Sequence, residues 1–570
     1  MGMICGILGK ADPALVRAMA GAMRHRGSPA HVREGADFTV ASSGDADAQV
    51  LVDGAPRDMA GQALLPKELL AHCRDAIRPE DLKLRGAFAA ALHMEGRNSW
   101  WLMRDRLGRG PLYYYVGPDF LIFASELKGL LASGKVPRTL NPFSVDRMLA
   151  LGCVPGSASI LDGVCRVTPG HIAEYRNGRL QETPFAKFDF QVRELSRDQA
   201  AQKLRGLLRQ AVSRYDSDNL LWSSGIDCAA LAALRQSANP LHVQLDRGWE
   251  DETKLAKESA RLLKLKLRVE AAETLTADAF RKVVYHLDEP MADAAAFPLW
   301  LICQQAAELG DSFMTGFGAD ELLGGYQRFR ILQMARGARG LVPLNLLSGL
   351  MPALPPNAFV RRGGQYLTSI RDPRDAYLAV VSLFDRKERE ELYTKQARES
   401  LGERDAPLGV IDAHFGTDDM TRNLLSLDLG ITLPDLLLAR CDRMAAAHGV
   451  TLQHPYLDGD LVDFLLRLEP GVKYGVRSKP VLRAALKGVL PARVRLRARR
   501  GFKMPQSGRT LGVIESVARD TLTRDRVLST GLMEWRRVEE VMRSASHNVY
   551  RRRQFWALLM FFAWHREFME

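Results

Sequence analysis

Long apolar runs are missing from this chain. The longest, FWALLMFFAW at 555–564, is about half of what a membrane-spanning helix needs. No span is therefore expected, and this run reads as a buried C-terminal helix. Cysteine is sparse: seven residues in 570, scattered and without a CxxC pair. That excludes a disulfide framework, and the odd count suits a reducing, cytoplasmic setting. The start of the chain lacks the basic stretch and the apolar length of a secretory signal. Gly6 stands where a myristoylation signal wants Ser or Thr. No internal repeat or low-complexity tract occurs, and no GxxxxGK[ST] phosphate loop is present. Acidic residues are absent from Val472 to Thr510, where RVRLRARRGFK concentrates arginine. With a net charge of +12, such a block attracts phosphates or acidic substrates, or else forms a solvated face.

What is present is ordinary for a globular protein: 46% hydrophobic and 26% charged residues. The length calls for more than one core. Residues 1–185 carry short alternating runs such as MICGILG, FTVASS, GAFAAALHM and FLIFAS. Gly, Asp and Pro punctuate them, which predicts strands joined by hairpins. Helical periods occur at DPALVRAMAGAMRHRG and PKELLAHCRDAI. Ser196 is a plausible N-cap for a helix leaving the segment KFDFQVRELSRDQA. Beyond it, long helices alternate with apolar strands at 219–222, 241–245 and 312–318, a pattern of parallel α/β structure. The far C-terminal part is mostly helical.

Two turns carry the chemistry. In NLLWSSGIDCAALAAL a strand runs through Ser223, Ser224, Gly225, Ile226, Asp227 and Cys228 into a helix. Small residues at such a turn let N–H groups and hydroxyls close on a phosphate. Asp227 makes sense there if it holds Mg²⁺ against the phosphates. In FMTGFGADELLGGYQRF, Gly316 and Gly318 allow close backbone approach, and Asp320 stands at the strand's carboxyl edge. Asp227 and Asp320 could share one Mg²⁺. The bland alternatives are a serine N-cap in the first turn and Asp320 as an N-cap in the second.

With these motifs the sequence resembles the glutamine-hydrolysing asparagine synthetase family, and the likeness runs nearly the whole length in the right order. HLDEPMADAAAFP (286–298), LLARCDRMAAAHGVTLQHPYLD (437–458) and RSKPVLRAALKGVLP (477–491) match further blocks. So do MRHRG (23–27), MRDRLGRGPLYY (103–114), FASELKGLL (123–131) and ILDGVCRVTPGH (160–171). The resemblance implies an α+β N-terminal-nucleophile amidotransferase-like domain over 1–190, with stacked antiparallel sheets and helices. It implies an α/β PP-loop ATP-pyrophosphatase domain over 191–570 with a helical C-terminal part. ATP and Mg²⁺ follow as cofactors, and a homodimer as the family's habit. Lys479 and Arg499, with Lys503 as a substitute, are the implied cations of the reacting centre. Phe317, Glu321 and Tyr326 fall in the substrate region.

The chain also departs from the family. Working relatives expose the nucleophilic cysteine directly after the initiator Met, whereas Gly2, Met3 and Ile4 precede Cys5. Relatives carry Asn-Gly-Glu where this chain has Asp53-Gly54-Ala55, and Asp-Gly where it has Arg85-Gly86. An acidic Asp53 opposes an oxyanion, and Arg85 repels a glutamine ammonium. Phe317 stands where asparagine synthetases place Glu and β-lactam synthetases place Tyr. The expectation is an ATP-dependent amide-forming ligase without glutaminase activity. It would couple a small-molecule or peptide carboxylate to an amine, in an intramolecular closure to a lactam or macrolactam or with a separate partner, or to ammonia. No nucleic-acid or membrane partner is expected. Two other readings stay open: a glutamine-dependent asparagine synthetase whose Cys5 is exposed by processing, and a nucleotide-binding pseudoenzyme.

Overall fold

The computed structural model describes residues 2–27, 30–44, 47, 49–245, 251–326, 328–329, 372–403, 405–417, 419–475, 477–498, 508–546 and 548–570. Strands β1 (Ile4–Leu8), β2 (His31–Glu34), β3 (Phe38–Ser42), β4 (Val50–Arg57), β5 (Arg85–Met94) and β6 (Ser99–Arg104) come first. β7 (Tyr113–Val116), β8 (Leu121–Ala124), β9 (Val164–Arg166), β10 (His171–Arg176) and β11 (Arg179–Pro184) follow. They form two antiparallel sheets, ordered β2-β3-β1-β8-β7-β9 and β11-β10-β6-β5-β4.

Strand periodicity explains how they stack. Ile4 and Leu8 of β1 join Leu51, Ala89, Leu102 and Phe123 in an apolar layer drawn from both sheets. Cys5 and Ile7 point the other way, onto the helix Pro13–Ala22 through Val16 and Met19. Gly6 is required between them: a Cβ there would lie 2.8 Å from both Phe123 and Val40. The expected helices stand at Pro13–Ala22 and Pro66–Asp75. Ser196 caps Arg197–Ser213, accepting from the Gln199 N–H.

A third sheet is all parallel, as the alternating pattern predicts. Its strands are β12 (Asn219–Leu221), β13 (Asn239–Gln244), β14 (Arg268–Ala271), β15 (Ser312–Met314) and β16 (Thr451–Gln453), ordered β14-β13-β12-β15-β16. From β12 the chain winds outward to β13 and β14, then returns to add β15 and β16 on the other side. The crevice between the carboxyl ends of β12 and β15 is thus the topological switch point, where ligands bind in open α/β sheets. Helices fill the rest. The C-terminal helix Val549–Phe568 buries Trp556, Phe561 and Trp564, as the short apolar run predicts. No helix among the described residues is long and apolar enough to cross a membrane. The seven cysteines are all free thiols.

The antiparallel layers are ionically joined to the third sheet and its helices. Arg85 pairs with Asp460 at 2.5 Å and Asp463 at 3.2 Å. Arg389 pairs with Asp146 at 2.7 Å. The largest apolar cluster also runs without a break from Cys5 to the C-terminal helix.

Candidate active site

The switch-point crevice opens into a cavity of about 750 Å³, within the range of ligand sites. The first turn delivers its residues as expected. Gly225 is the N-cap of the helix Ile226–Leu234, with the Ser223 hydroxyl accepting the Gly225 N–H at 3.2 Å. A glycine cap, with no serine cap, leaves the Ser224 hydroxyl free to donate to Glu252 at 2.7 Å. Ser223, Ser224, Gly225, Ile226, Asp227 and Cys228 all line the cavity. Ile226 and Cys228 are buried and help anchor the turn, and burial raises the Cys228 thiol above its usual range.

The second turn meets it from the next strand. Gly318, at φ +87°, caps the helix Ala319–Leu323, so Asp320 stands in the first turn and is not the cap. Gly316 is needed because a Cβ there would lie 2.9 Å from Asp227 Cβ. Gly325 is needed because a Cβ there would overlap the Asp320 carboxylate. Between the two aspartates lies Lys479, its Nζ 2.7 Å from Asp227 Oδ2 and 2.6 Å from Asp320 Oδ1. Burial opposes its charge, but the two carboxylates outweigh burial and hold the ammonium above its ordinary range. Lys479 takes a left-handed φ of +55° at the N-cap of the helix Pro480–Ala485. Such strain in a non-glycine residue is characteristic of functional positions.

Phe317 and Tyr326 also face the cavity, as does Glu321. The Tyr326 hydroxyl donates to Glu321. Burial, and next to it the Asp320 charge, pushes the Glu321 carboxyl up to about 7. Arg499 and Lys503 lie outside the described residues. The basic run nevertheless reaches the site through Arg497, which donates to the Ser224 carbonyl at 3.2 Å and pairs with Glu258 at 2.9 Å.

Other lining residues carry no local motif. Glu252 is one. Arg440, paired with Asp293, lies over the Phe317 ring at 5.9 Å. Leu436 and Leu437 come from a π-helical stretch, Asp428–Leu438, an uncommon geometry enriched at functional sites. The only hint in the sequence is that Arg440 and Asp293 each fall in a family-like block.

Mg²⁺ binds through one or two carboxylates with phosphate oxygens completing its shell. Among the described residues no group of three or more His, Cys, Asp or Glu could hold a metal alone. Asp227 and Asp320 converge at the cavity wall on the Lys479 ammonium, so an ion held there with phosphates completing its shell would share these two carboxylates with Lys479.

Cys5 has a different setting. It is fully buried within β1, and burial pushes its thiol up to about 12. It lines neither this cavity nor a second one of about 520 Å³. That second cavity is bordered by Gly2, Asp53, Arg85, Arg214, Asp442 and His454. Asp53 accepts the Gly2 N–H at 2.9 Å and pairs with Arg26 at 3.2 Å. Arg26 also donates to the Gly2 carbonyl and pairs with Glu126 and Asp442. Ser43 accepts the Met3 N–H and Ser125 the Ile4 N–H, so Gly2, Met3 and Ile4 are each tied down.

A family model described as Asparagine synthase matches residues 203–566. One described as Glutamine amidotransferase domain matches residues 72–186. The asparagine synthetase (glutamine-hydrolyzing) 1 of Bacillus subtilis is 25% identical over 458 residues, covering 77% of this chain and 70% of that protein. A putative asparagine synthetase (glutamine-hydrolyzing) of Mycobacterium bovis is 25% identical over 536 residues, covering 86% and 77%. Amidase chry2 of Gibberella zeae is 22% identical over 520 residues, covering 81% and 76%.

Proposed function

Because the chain belongs to the asparagine synthase family of ATP-dependent carbon–nitrogen ligases, we propose that it activates a substrate carboxylate as an acyl-adenylate and passes the acyl group to an amine or ammonia, without hydrolysing glutamine. The observation that carries this reading is Lys479 held between Asp227 and Asp320 at the switch-point cavity. In the proposed reaction the carboxylate oxygen bonds to the α-phosphorus of ATP as the bond to pyrophosphate breaks. The amine nitrogen then bonds to the acyl carbon, AMP leaves, and the amine sheds a proton. A bound Mg²⁺ would neutralise phosphate charge. Lys479 sets a fixed positive charge where negative charge develops, and needs no reorganisation to do so. The N-terminus of Ile226–Leu234, with Ser223 and Ser224 before it, receives the phosphates. Arg497 braces that turn through the Ser224 carbonyl.

In this reading residues 1–190 form a retained amidotransferase-like domain and residues 191–570 the adenylating domain. Four features support loss of glutaminase activity. Cys5 sits inside a paired strand, its thiol is far from thiolate, and Asp53 offers a carboxylate where an oxyanion would need donors. Arg85 is bound to Asp460 and Asp463, which fixes a cation at the rim of the second cavity.

The test is carboxylate-dependent exchange of labelled pyrophosphate into ATP, with glutamate release followed in parallel. Exchange that is lost in Asp227→Ala and Asp320→Ala supports the proposal. Exchange retained in either variant removes these aspartates from the reacting centre. Glutamate formed from glutamine in a Cys5-dependent manner overturns the second half.

A further inference from the structure

The cavity has two unlike halves. One, around Asp227 and Lys479, is polar. The other is apolar and is lined by Leu151, Leu299, Ile302, Leu383, Leu437 and Trp556. Backbone contacts bring this wall together from distant parts of the chain. The Leu383 N–H donates to the Ala150 carbonyl and the Ala292 N–H to the Gly152 carbonyl, both at 2.7 Å. Gln554, two residues before Trp556, donates to the Leu383 carbonyl at 3.1 Å. Leu151 ends the helix Pro142–Leu151 of the antiparallel part, so that part completes the wall.

The buried ions of this half, Arg440 with Asp293 and Arg328 with Asp428, pair with one another, while Arg552 and Arg553 line its edge near Trp556. Glu321 accepts a hydrogen bond from the Tyr326 hydroxyl. Arg552 stands one turn before Trp556 and donates to the Ser546 carbonyl at 3.2 Å. A polar acid such as aspartate must find partners for an ammonium and a second carboxylate. Burying either unpaired costs far more than the contacts return. An apolar body displaces water from leucines, isoleucine and tryptophan and gains on every methylene. Phe317, able neither to donate nor to accept a proton, lines the same cavity, with the ion-paired Arg440 guanidinium 5.9 Å from its ring centre.

We propose that the apolar half of the cavity, lined by Leu151, Ile302, Leu437 and Trp556, is the acyl-body subsite, and that the carboxylate substrate is an acid whose body is apolar. This rests on the adenylation reading for what happens to the carboxylate, but not for what the chamber binds.

Calorimetry on the full chain, with Mg²⁺ and a non-hydrolysable α,β-methylene ATP analogue, reads the chamber without turnover. The probes are butanoate, octanoate and L-aspartate. Octanoate should bind roughly tenfold or more tighter than L-aspartate, with butanoate between. Leu151→Trp and Ile302→Trp each fill the chamber and should weaken octanoate several-fold more than butanoate. Circular dichroism confirms that at least one variant is folded. Aspartate binding as tightly as octanoate overturns the proposal. So does an octanoate affinity that both folded variants leave unchanged. The expected binding order without any pyrophosphate exchange would sink adenylation and leave the chamber standing. Exchange with aspartate alone would do the reverse.

Discussion

Arg26 and Lys479 are both buried cations among carboxylates, and their partners differ in exposure. Arg26 has a side chain 1% exposed and touches Asp53, Glu126 and Asp442, which are 5%, 0% and 15% exposed. Arg443 and Lys128 add further pairs to Glu126 and Asp288, closing the network. Lys479 is 3% exposed, but its partners Asp227 and Asp320 keep 22% and 21% of their side-chain surface. The chemistry is similar and the access is not. Arg26 ties two parts of the chain together. Lys479 holds two carboxylates at the wall of a cavity, where an incoming phosphate can compete for it.

The sharpest way to break this comparison is to remove each cation. Lys479→Met should lower pyrophosphate exchange by about 10³-fold, as loss of a preorganised charge does, with a small change in the urea midpoint. Arg26→Met should do the opposite. It leaves three buried carboxylates without their shared partner, a loss of about 3–5 kcal/mol, read as a fall in the same midpoint. Equal effects of the two variants on stability would erase the distinction.

A smaller effect concerns Glu321. Its carboxyl titrates near 7 when folded and in the ordinary carboxylate range when unfolded. Between those values the folded protein holds a proton that the unfolded chain has released. Ionising Glu321 therefore lowers stability as pH rises through that window. The wild type should lose stability relative to Glu321→Gln between about pH 5 and 7, measured as the difference in urea midpoints. A constant difference would mean that Glu321 does not titrate there. The smallest expected effect is that of Cys5→Ala, which should leave the ligase rate with an amine donor unchanged. A proportional loss of rate would place Cys5 back in the chemistry.

The local parts of the site were legible in the sequence because they are local. SSGID and GFGADELLGGY each combine small residues, a carboxylate and a strand-to-helix turn within a few positions. The structure sets both at the switch point and brings Lys479 to them from a separate block. The hairpin strands of the first part and the parallel sheet also follow from patterning, since period-2 runs and strand–helix alternation are short-range signals, whereas the stacking of the antiparallel sheets was implied by the family resemblance. What could not be read is pairing across the chain. Arg440 meets Asp293 from 147 positions away, and Ala150 meets Leu383 through a backbone hydrogen bond that only the fold creates. The caps differed for a related reason. Gly318 takes its position at φ +87° with Leu457 packed against it, so that a Cβ there would lie 2.4 Å away, and Gly225 caps its helix without a side-chain bond. That leaves Ser224 to bind Glu252 and Asp320 to bind Lys479.

The central claim is that chemistry resides at Lys479 and not at Cys5. One reaction tests it: the full chain with MgATP, octanoate, glutamine and labelled pyrophosphate, followed at once for label entering ATP and for glutamate. The account predicts label in ATP and no glutamate. Glutamate release that disappears in Cys5→Ala, without exchange that depends on Asp227, would contradict it.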